Sequence, residues 1–299
     1  MTRTFVTGAS GFTGRYLCEL LAGKGHEVHG LVHGSPTDDL PGLRRSYDAD
    51  LTDLAALKDI VAEVQPHHVV HLAAIAFIAH GDVDEMYRSN VIGTRQLLES
   101  LTGLRELPRS VVLASSANIY GNVREGVLDE SVPPAPANDY GVTKVAMEYV
   151  ASLYASRLPL VVVRPFNYTG LGQSLDFVVP KIVDHARRRS PVIELGNLDV
   201  ARDFSDVRTV ADVYARLLDR PEAIGGTFNV CSGIAVSLRE ILDLVAKISG
   251  YLMEVRVNPA FVRENEVRTL SGSAEKLEAV IGPISPIPLE QTLRWMLES

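Results

Sequence analysis

The stretch Thr4-Phe5-Val6-Thr7-Gly8-Ala9-Ser10-Gly11-Phe12-Thr13-Gly14 decides the fold. A short apolar run feeds directly into three glycines spaced G-x-x-G-x-x-G, and residues 14–23 then repeat their apolar side chains at helical spacing. A strand, a tight turn and a helix in that order make a ready anion site. The glycines let backbone amides come close to a pyrophosphate, and the helix dipole favours negative charge at its first turn. Gly8, Gly11, Phe12 and Gly14 are therefore the expected cradle of a dinucleotide.

Working outward, apolar runs at residues 27–32, 69–74, 110–115 and 160–164 alternate with amphipathic stretches at 54–64, 85–101 and 140–157. The runs are continuous rather than alternating, as expected of parallel strands buried on both faces. The fold class is α/β: a doubly wound parallel sheet (Rossmann) with a smaller mixed α/β carboxy-terminal substrate domain. After Arg164-Pro165 the pattern loosens into turns, with helices at 177–188, 207–218 and 237–249. The expected division is 1–165 for the dinucleotide, with 206–230 returning to it, and 166–205 plus 231–299 for the substrate.

Composition narrows the function classes. The 299 residues carry 29 Lys+Arg against 37 Asp+Glu, a net charge of −8, which disfavours nucleic acid or an anionic membrane as partner. The apolar run at 69–79 is broken by His71 and is too short for a membrane span. Two distant cysteines, Cys18 and Cys231, with no metal-ligand spacing, fit a reducing cytoplasm and no metal. No signal-type segment precedes the first strand.

Two further stretches carry chemistry. The second strand ends Leu31-Val32-His33-Gly34-Ser35, without the acid that would accept the ribose hydroxyls of NAD. Arg44 or Arg45 could then meet a 2′-phosphate, so NADPH is expected ahead of NADH; the alternative is a pair of solvated loop arginines. Asp50-Leu51 is placed either at the adenine edge or as a capping turn. Tyr140-Gly141-Val142-Thr143-Lys144 sets a phenol and an ammonium on one helix face, where the cation lowers the phenol's pKa and fastens a ribose. Upstream, Leu113-Ala114-Ser115-Ser116-Ala117-Asn118-Ile119-Tyr120-Gly121 ends a strand in hydroxyls.

Together these residues resemble the extended short-chain dehydrogenases/reductases that act on nucleotide sugars, along essentially the whole chain. The resemblance implies Ser116 as catalytic hydroxyl, with Ser115 the alternative register, Tyr140 as acid/base and Lys144 as its partner. It also implies a catalytic role for Asn90 and a cofactor contact for Ala73 and Ala74. Dehydratases of that family resemble Thr-x-Glu-x-Tyr-Gly. This chain has Asn118 instead, and an amide cannot act as their general base.

The downstream segments Arg164-Pro165-Phe166-Asn167, Gly172-Gln173-Ser174 and Arg202-Asp203-Phe204 resemble the GDP-sugar branch. That likeness implies reduction of the C4 ketone of GDP-4-keto-6-deoxy-D-mannose to GDP-D-rhamnose or its C4 epimer GDP-6-deoxy-D-talose. The rival readings are an NAD-dependent 4-epimerase and a non-catalytic dinucleotide-binding sensor. A nucleoside diphosphate calls for cations or amides, and Arg202, Arg263 and Lys181 are the candidates, with Glu266 for a ribose diol and Asn167 and Asn197 for phosphate or sugar oxygens. For Arg202 the alternative is a salt bridge to Asp203 or Asp206. The family further implies a homodimer formed through helices starting near Val91 and Tyr140.

Overall fold

In the computed structural model, which describes residues 1–34, 40–76, 82–122, 126–262 and 267–299, the strand Thr2–Thr7 lies inside a seven-stranded sheet. From edge to edge the order is Thr227–Val230, Leu160–Pro165, Ser110–Ala114, His68–His71, Thr2–Thr7, His26–Val32 and Arg45–Asp48. Every neighbouring pair is parallel. The chain reverses its direction of travel across the sheet at Thr2–Thr7, so a crevice opens at that strand's carboxyl end.

Period-2 geometry explains why the strands are apolar throughout. Phe5 and Val6 face opposite sides. Phe5, Leu31, Val111 and Leu113 pack with Leu57, Leu97 and Met147 from helices Leu54–Val64, Thr94–Thr102 and Asp139–Ser152. Val6, Val32, Val70 and Val112 pack on the other face with Leu17 and Tyr214 from helices Phe12–Gly23 and Val207–Leu218. Caps mark where helices start: the Asp53 carboxylate accepts from the amides of Ala55 and Ala56, and Asn138 accepts from Gly141. The second sheet joins Ala235–Ser237, Ala201–Asp206, Thr269–Gly272 and Gly126–Leu128, with Asn167–Thr169 parallel to Ala201–Asp206.

Three local readings change. The strand at 69–74 stops at His71, where the chain peels away and the Ala73 amide donates to Thr7 Oγ1. The single helix over 85–101 is interrupted by a π-turn, Arg88–Gly93, between Val83–Tyr87 and Thr94–Thr102. There the Thr94 hydroxyl takes the Asn90 carbonyl at 2.7 Å, claiming the acceptor that a regular helix gives to the backbone amide four residues on. Residues 45–48, read as loop, form the edge strand. Both cysteines are buried, and burial pushes the Cys18 thiol up to about 12. Among the described residues no helix is long and apolar enough to cross a membrane, and no group of three or more His, Cys, Asp or Glu could hold a metal ion.

Candidate active site

The glycine turn is shaped for close approach. Gly8 sits at φ +69°, and a Cβ there would stand 2.8 Å from the Ala73 amide nitrogen. A Cβ on Gly14 would stand 2.2 Å from the Gly8 carbonyl. Only glycine fits; the Gly8, Ala9 and Gly11 amides hold the turn itself, and the first-turn amides of Phe12–Gly23 suit a pyrophosphate, so the residues present match a dinucleotide. Phe12 stacks on Tyr168 at 6.0 Å, Thr13 Oγ1 lies 2.9 Å from the Tyr168 hydroxyl, and the Tyr16 hydroxyl donates to the Leu171 carbonyl. Arg15, which the sequence reading passed over, donates to the Ser10 carbonyl of the same turn; its position directly after Gly14 was the available signal.

At the carboxyl end of Ser110–Ala114 the chain turns into the short helix Ala117–Tyr120, and Asp139–Ser152 packs against it. This brings Ser116, Tyr140 and Lys144 together. Ser116 is buried beside the Tyr140 phenol. Burial pushes that phenol well above its ordinary range, the neighbouring Tyr168 adds to the rise, and the Ser116 hydroxyl opposes it. Lys144 does not offset this: its Nζ donates to the Ala114 carbonyl at 2.7 Å and lies 5.7 Å from the Tyr140 ring centre. Burial lowers the Lys144 ammonium to about 8, while Glu148 one turn on pulls it back up.

The alternative hydroxyl is accounted for otherwise. Ser115 Oγ donates to Glu148 Oε1 at 2.6 Å, and Glu148 pairs with Arg164, both largely buried. Arg164 also donates to the Tyr120 hydroxyl, which donates to Asn229. Ser115 thus belongs to a supporting network and Ser116 faces the phenol.

Asn90 proves to be a clamp. Its Oδ1 accepts from the Ile75 amide, and its Nδ2 donates to the Ile75 carbonyl and to Thr143 Oγ1. Both of its amide hydrogens and one oxygen lone pair are taken by protein, so Asn90 ties Ile75, just after the Ala73–Ala74 segment, to the Tyr140 helix. A directed chain backs it. The Thr94 hydroxyl donates to the Asn90 carbonyl, so Thr94 must accept from His71 Nε2, and His71 Nδ1 accepts from Thr7. Burial lowers His71 to about 3, keeping it neutral in this chain.

At the adenosine end Asp50 accepts from the Thr52 amide and hydroxyl, which hold it below the usual carboxylate range, with His33 and Arg88 adding to the effect. Leu51 is buried against Gly93. Arg44 and Arg45 are not brought here. Arg45 pairs with His29 in the parallel register, three residues before the Val32–Asp48 pair, or about 10 Å back from the sheet's carboxyl edge. It rests on Tyr47 and bonds Glu63, while the Arg44 amide donates to the Val28 carbonyl. A cation that acts on Asp50 and that the sequence reading missed is Arg88, the first residue of the π-turn.

On the substrate side, Arg202 donates to the Ala201 and Val267 carbonyls. Its suggested acidic partners are engaged elsewhere: Asp206 binds Arg208, and Asp203 accepts from Ser232, Gly233 and Gly272. Lys181 donates to the Glu194 carbonyl and lies over the Phe261 ring. Arg202 and Lys181 thus contact Val267 and Phe261; Arg263 and Glu266 lie outside the described residues. Asn197 closes a turn by accepting from the Asp199 amide, and Asn167 is exposed on its strand.

Residues 4–231 match the model of the NAD dependent epimerase/dehydratase family. The chain is 36% identical over 280 residues to GDP-6-deoxy-D-talose 4-dehydrogenase of Aggregatibacter actinomycetemcomitans, covering 94% of this chain and 91% of that one. It is 34% identical over 306 residues to GDP-6-deoxy-D-mannose reductase of Pseudomonas aeruginosa, covering 99% and 96%. The structure of RMD from Pseudomonas aeruginosa complexed with NADPH superposes with a TM-score of 0.84 at 31% identity, covering 100% and 97%.

Proposed function

The chain belongs to the NAD dependent epimerase/dehydratase family, and on that premise we propose that it is an NADPH-dependent reductase of the C4 ketone of a GDP-linked 4-keto-6-deoxyhexose. The observation that carries this is the pairing of Tyr140 with Ser116, beside which Asn118 stands in place of a carboxylate. The site has a proton donor and no base suited to elimination. The two similar curated enzymes act on GDP-6-deoxy sugars, which supports the substrate class. The expected product is GDP-D-rhamnose or GDP-6-deoxy-D-talose.

A bound nicotinamide would supply the hydride. The glycine turn would hold its pyrophosphate, and Lys144, fixed on the Ala114 carbonyl, would turn its remaining N–H groups to the nicotinamide ribose. Tyr140 gives its proton to the ketone oxygen as the hydride reaches C4, leaving a secondary alcohol and a tyrosinate that solvent reprotonates. Asp50, His33 and Arg88 attend the adenosine end, and the acid-free end of the second strand favours a 2′-phosphate. Arg202, Lys181, Asn167 and Asn197, with Arg263 and Glu266, are assigned to the sugar nucleotide, between 1–165 and the segments 166–205 and 231–299.

Exposed Ile92, Val142, Tyr149 and Leu153 lie on the π-turn and on and just beyond the Tyr140 helix, and support a homodimer through that face. Cytoplasmic placement follows from these reactants. The test incubates the protein with enzymatically generated GDP-4-keto-6-deoxymannose and NADPH, following nicotinamide absorbance and the product's C4 configuration. Oxidation coupled to a GDP-6-deoxyhexose, and its loss by at least about 100-fold in Tyr140→Phe, is expected. No oxidation, with nucleotide co-purifying, would make the protein an epimerase.

A further inference from the structure

Asn118 takes no part in the scheme above, yet its carboxamide reaches the catalytic serine. Ser116 Oγ accepts from the Asn118 amide at 3.1 Å and from Asn118 Nδ2 at 3.0 Å. A hydroxyl has two lone pairs and one proton. With both lone pairs taken, Ser116 has only its O–H left to offer, and the neighbouring Tyr140 phenol is the group it acts on. The Tyr140 proton then has to point away from Ser116, toward the open side of the site.

Resting on the proposed reductase reading, we infer that Asn118 is a positioning residue that makes Ser116 a hydrogen-bond donor only, so that Tyr140 alone moves the proton. The direction matters chemically. A serine free to accept could take the phenol's proton into an unproductive Ser–Tyr bond and compete with the ketone. A serine held as donor leaves the phenol proton for the ketone, then stabilises the tyrosinate that remains. Three features support a built arrangement: Asn118 is the second residue of the helix Ala117–Tyr120 whose amino-terminal cap is Ser116, its carbonyl stands where a Cβ on Gly141 would lie 2.8 Å away, and Ser116 is buried. Helix packing thus fixes the Asn118 backbone beside the Tyr140 helix.

The test compares Asn118→Asp with Asn118→Ala. Aspartate keeps the shape but replaces the Nδ2 donor by an acceptor, so Ser116 turns its proton to the new carboxylate and leaves Tyr140. Alanine keeps the backbone amide bond and removes only the second donor. The expected order of kcat is wild type, then Asn118→Ala, then Asn118→Asp, with Asn118→Asp lower by at least about tenfold and KM for both substrates within about twofold. A merely structural role predicts the reverse order, because alanine removes more packing; that order, or equal rates, overturns the inference. NADPH affinity and thermal unfolding confirm that both variants fold.

A second readout needs no sugar substrate. With 13Cζ-labelled tyrosine, the Tyr140 resonance, identified by its absence in Tyr140→Phe, should move most in Asn118→Asp and less in Asn118→Ala, which frees one Ser116 lone pair. An unmoved resonance in Asn118→Asp overturns the inference even if the keto-sugar is reduced. A moved resonance upholds it even if the keto-sugar is not, and only the reductase reading would then fall.

Discussion

Replacing Glu148 by Gln should lower the pH at which the protein loses its grip on the nicotinamide ribose. Lys144 is buried and titrates at about 8, so its ammonium is present below that pH and lost above it. Glu148 follows one helical turn later on the same face, with about 6 Å between the side chains. At an effective dielectric of about 20, a full charge at that distance is worth about 3 kcal/mol to the ammonium. Arg164, 2.7 Å from Glu148 Oε2, is present in both proteins and leaves this difference untouched. The loss therefore corresponds to about two pH units.

The NADPH dissociation constant, measured by fluorescence titration from pH 5 to 10, should rise above about pH 8 in the wild type and above about pH 6 in Glu148→Gln. Glutamine keeps one acceptor for Ser115 and Arg164 but leaves the largely buried Arg164 charge unpaired, a cost of about 3–5 kcal/mol that thermal unfolding measured alongside should register. A wild-type affinity flat across the range, or a variant midpoint unmoved or raised, would refute the assigned role of the ammonium.

Two other outcomes follow from the geometry. Thr94→Val keeps the shape but leaves His71 Nε2–H buried without an acceptor, which should cost about 1–3 kcal/mol in denaturant unfolding. Arg44→Ala should leave the NADPH dissociation constant within about twofold, since the Arg44 amide joins the sheet well back from its carboxyl edge; a tenfold loss would mean that the arginine reaches the cofactor after all.

Much of the frame was legible in the residues. The run into Gly8, Gly11 and Gly14 announces strand, turn and helix because no other backbone chemistry needs three glycines there. The apolar strands announce burial on both faces. The edge strand Arg45–Asp48 was not legible: Arg-Ser-Tyr-Asp has no apolar pattern, and it pairs on one side only. That miss put Arg44 and Arg45 in a loop near the cofactor. The π-turn escaped because Asn90 and Thr94 create it through side-chain bonds that leave the helical spacing intact.

The serines show the same limit at finer scale. Ser115 and Ser116 are adjacent and chemically identical, and only Glu148, thirty-three residues away in sequence, separates their roles by binding one of them. Long-range partners decide such cases, and spacing along the chain does not reveal them.

The contacts between residues 12–16 and the far half of the chain carry a consequence for exchange of parts. Thr13 meets Tyr168, Tyr16 meets both Leu171 and Trp295, and Trp295 in turn stacks under Arg208. The nucleotide turn is therefore stitched to the segment after Asn167 and to the final helix Leu289–Glu298. A chimera that borrowed its substrate half from a relative would also replace the partners of the glycine turn. Specificity for the sugar and grip on the dinucleotide are consequently inherited together, and grafting one without recutting the other would loosen both.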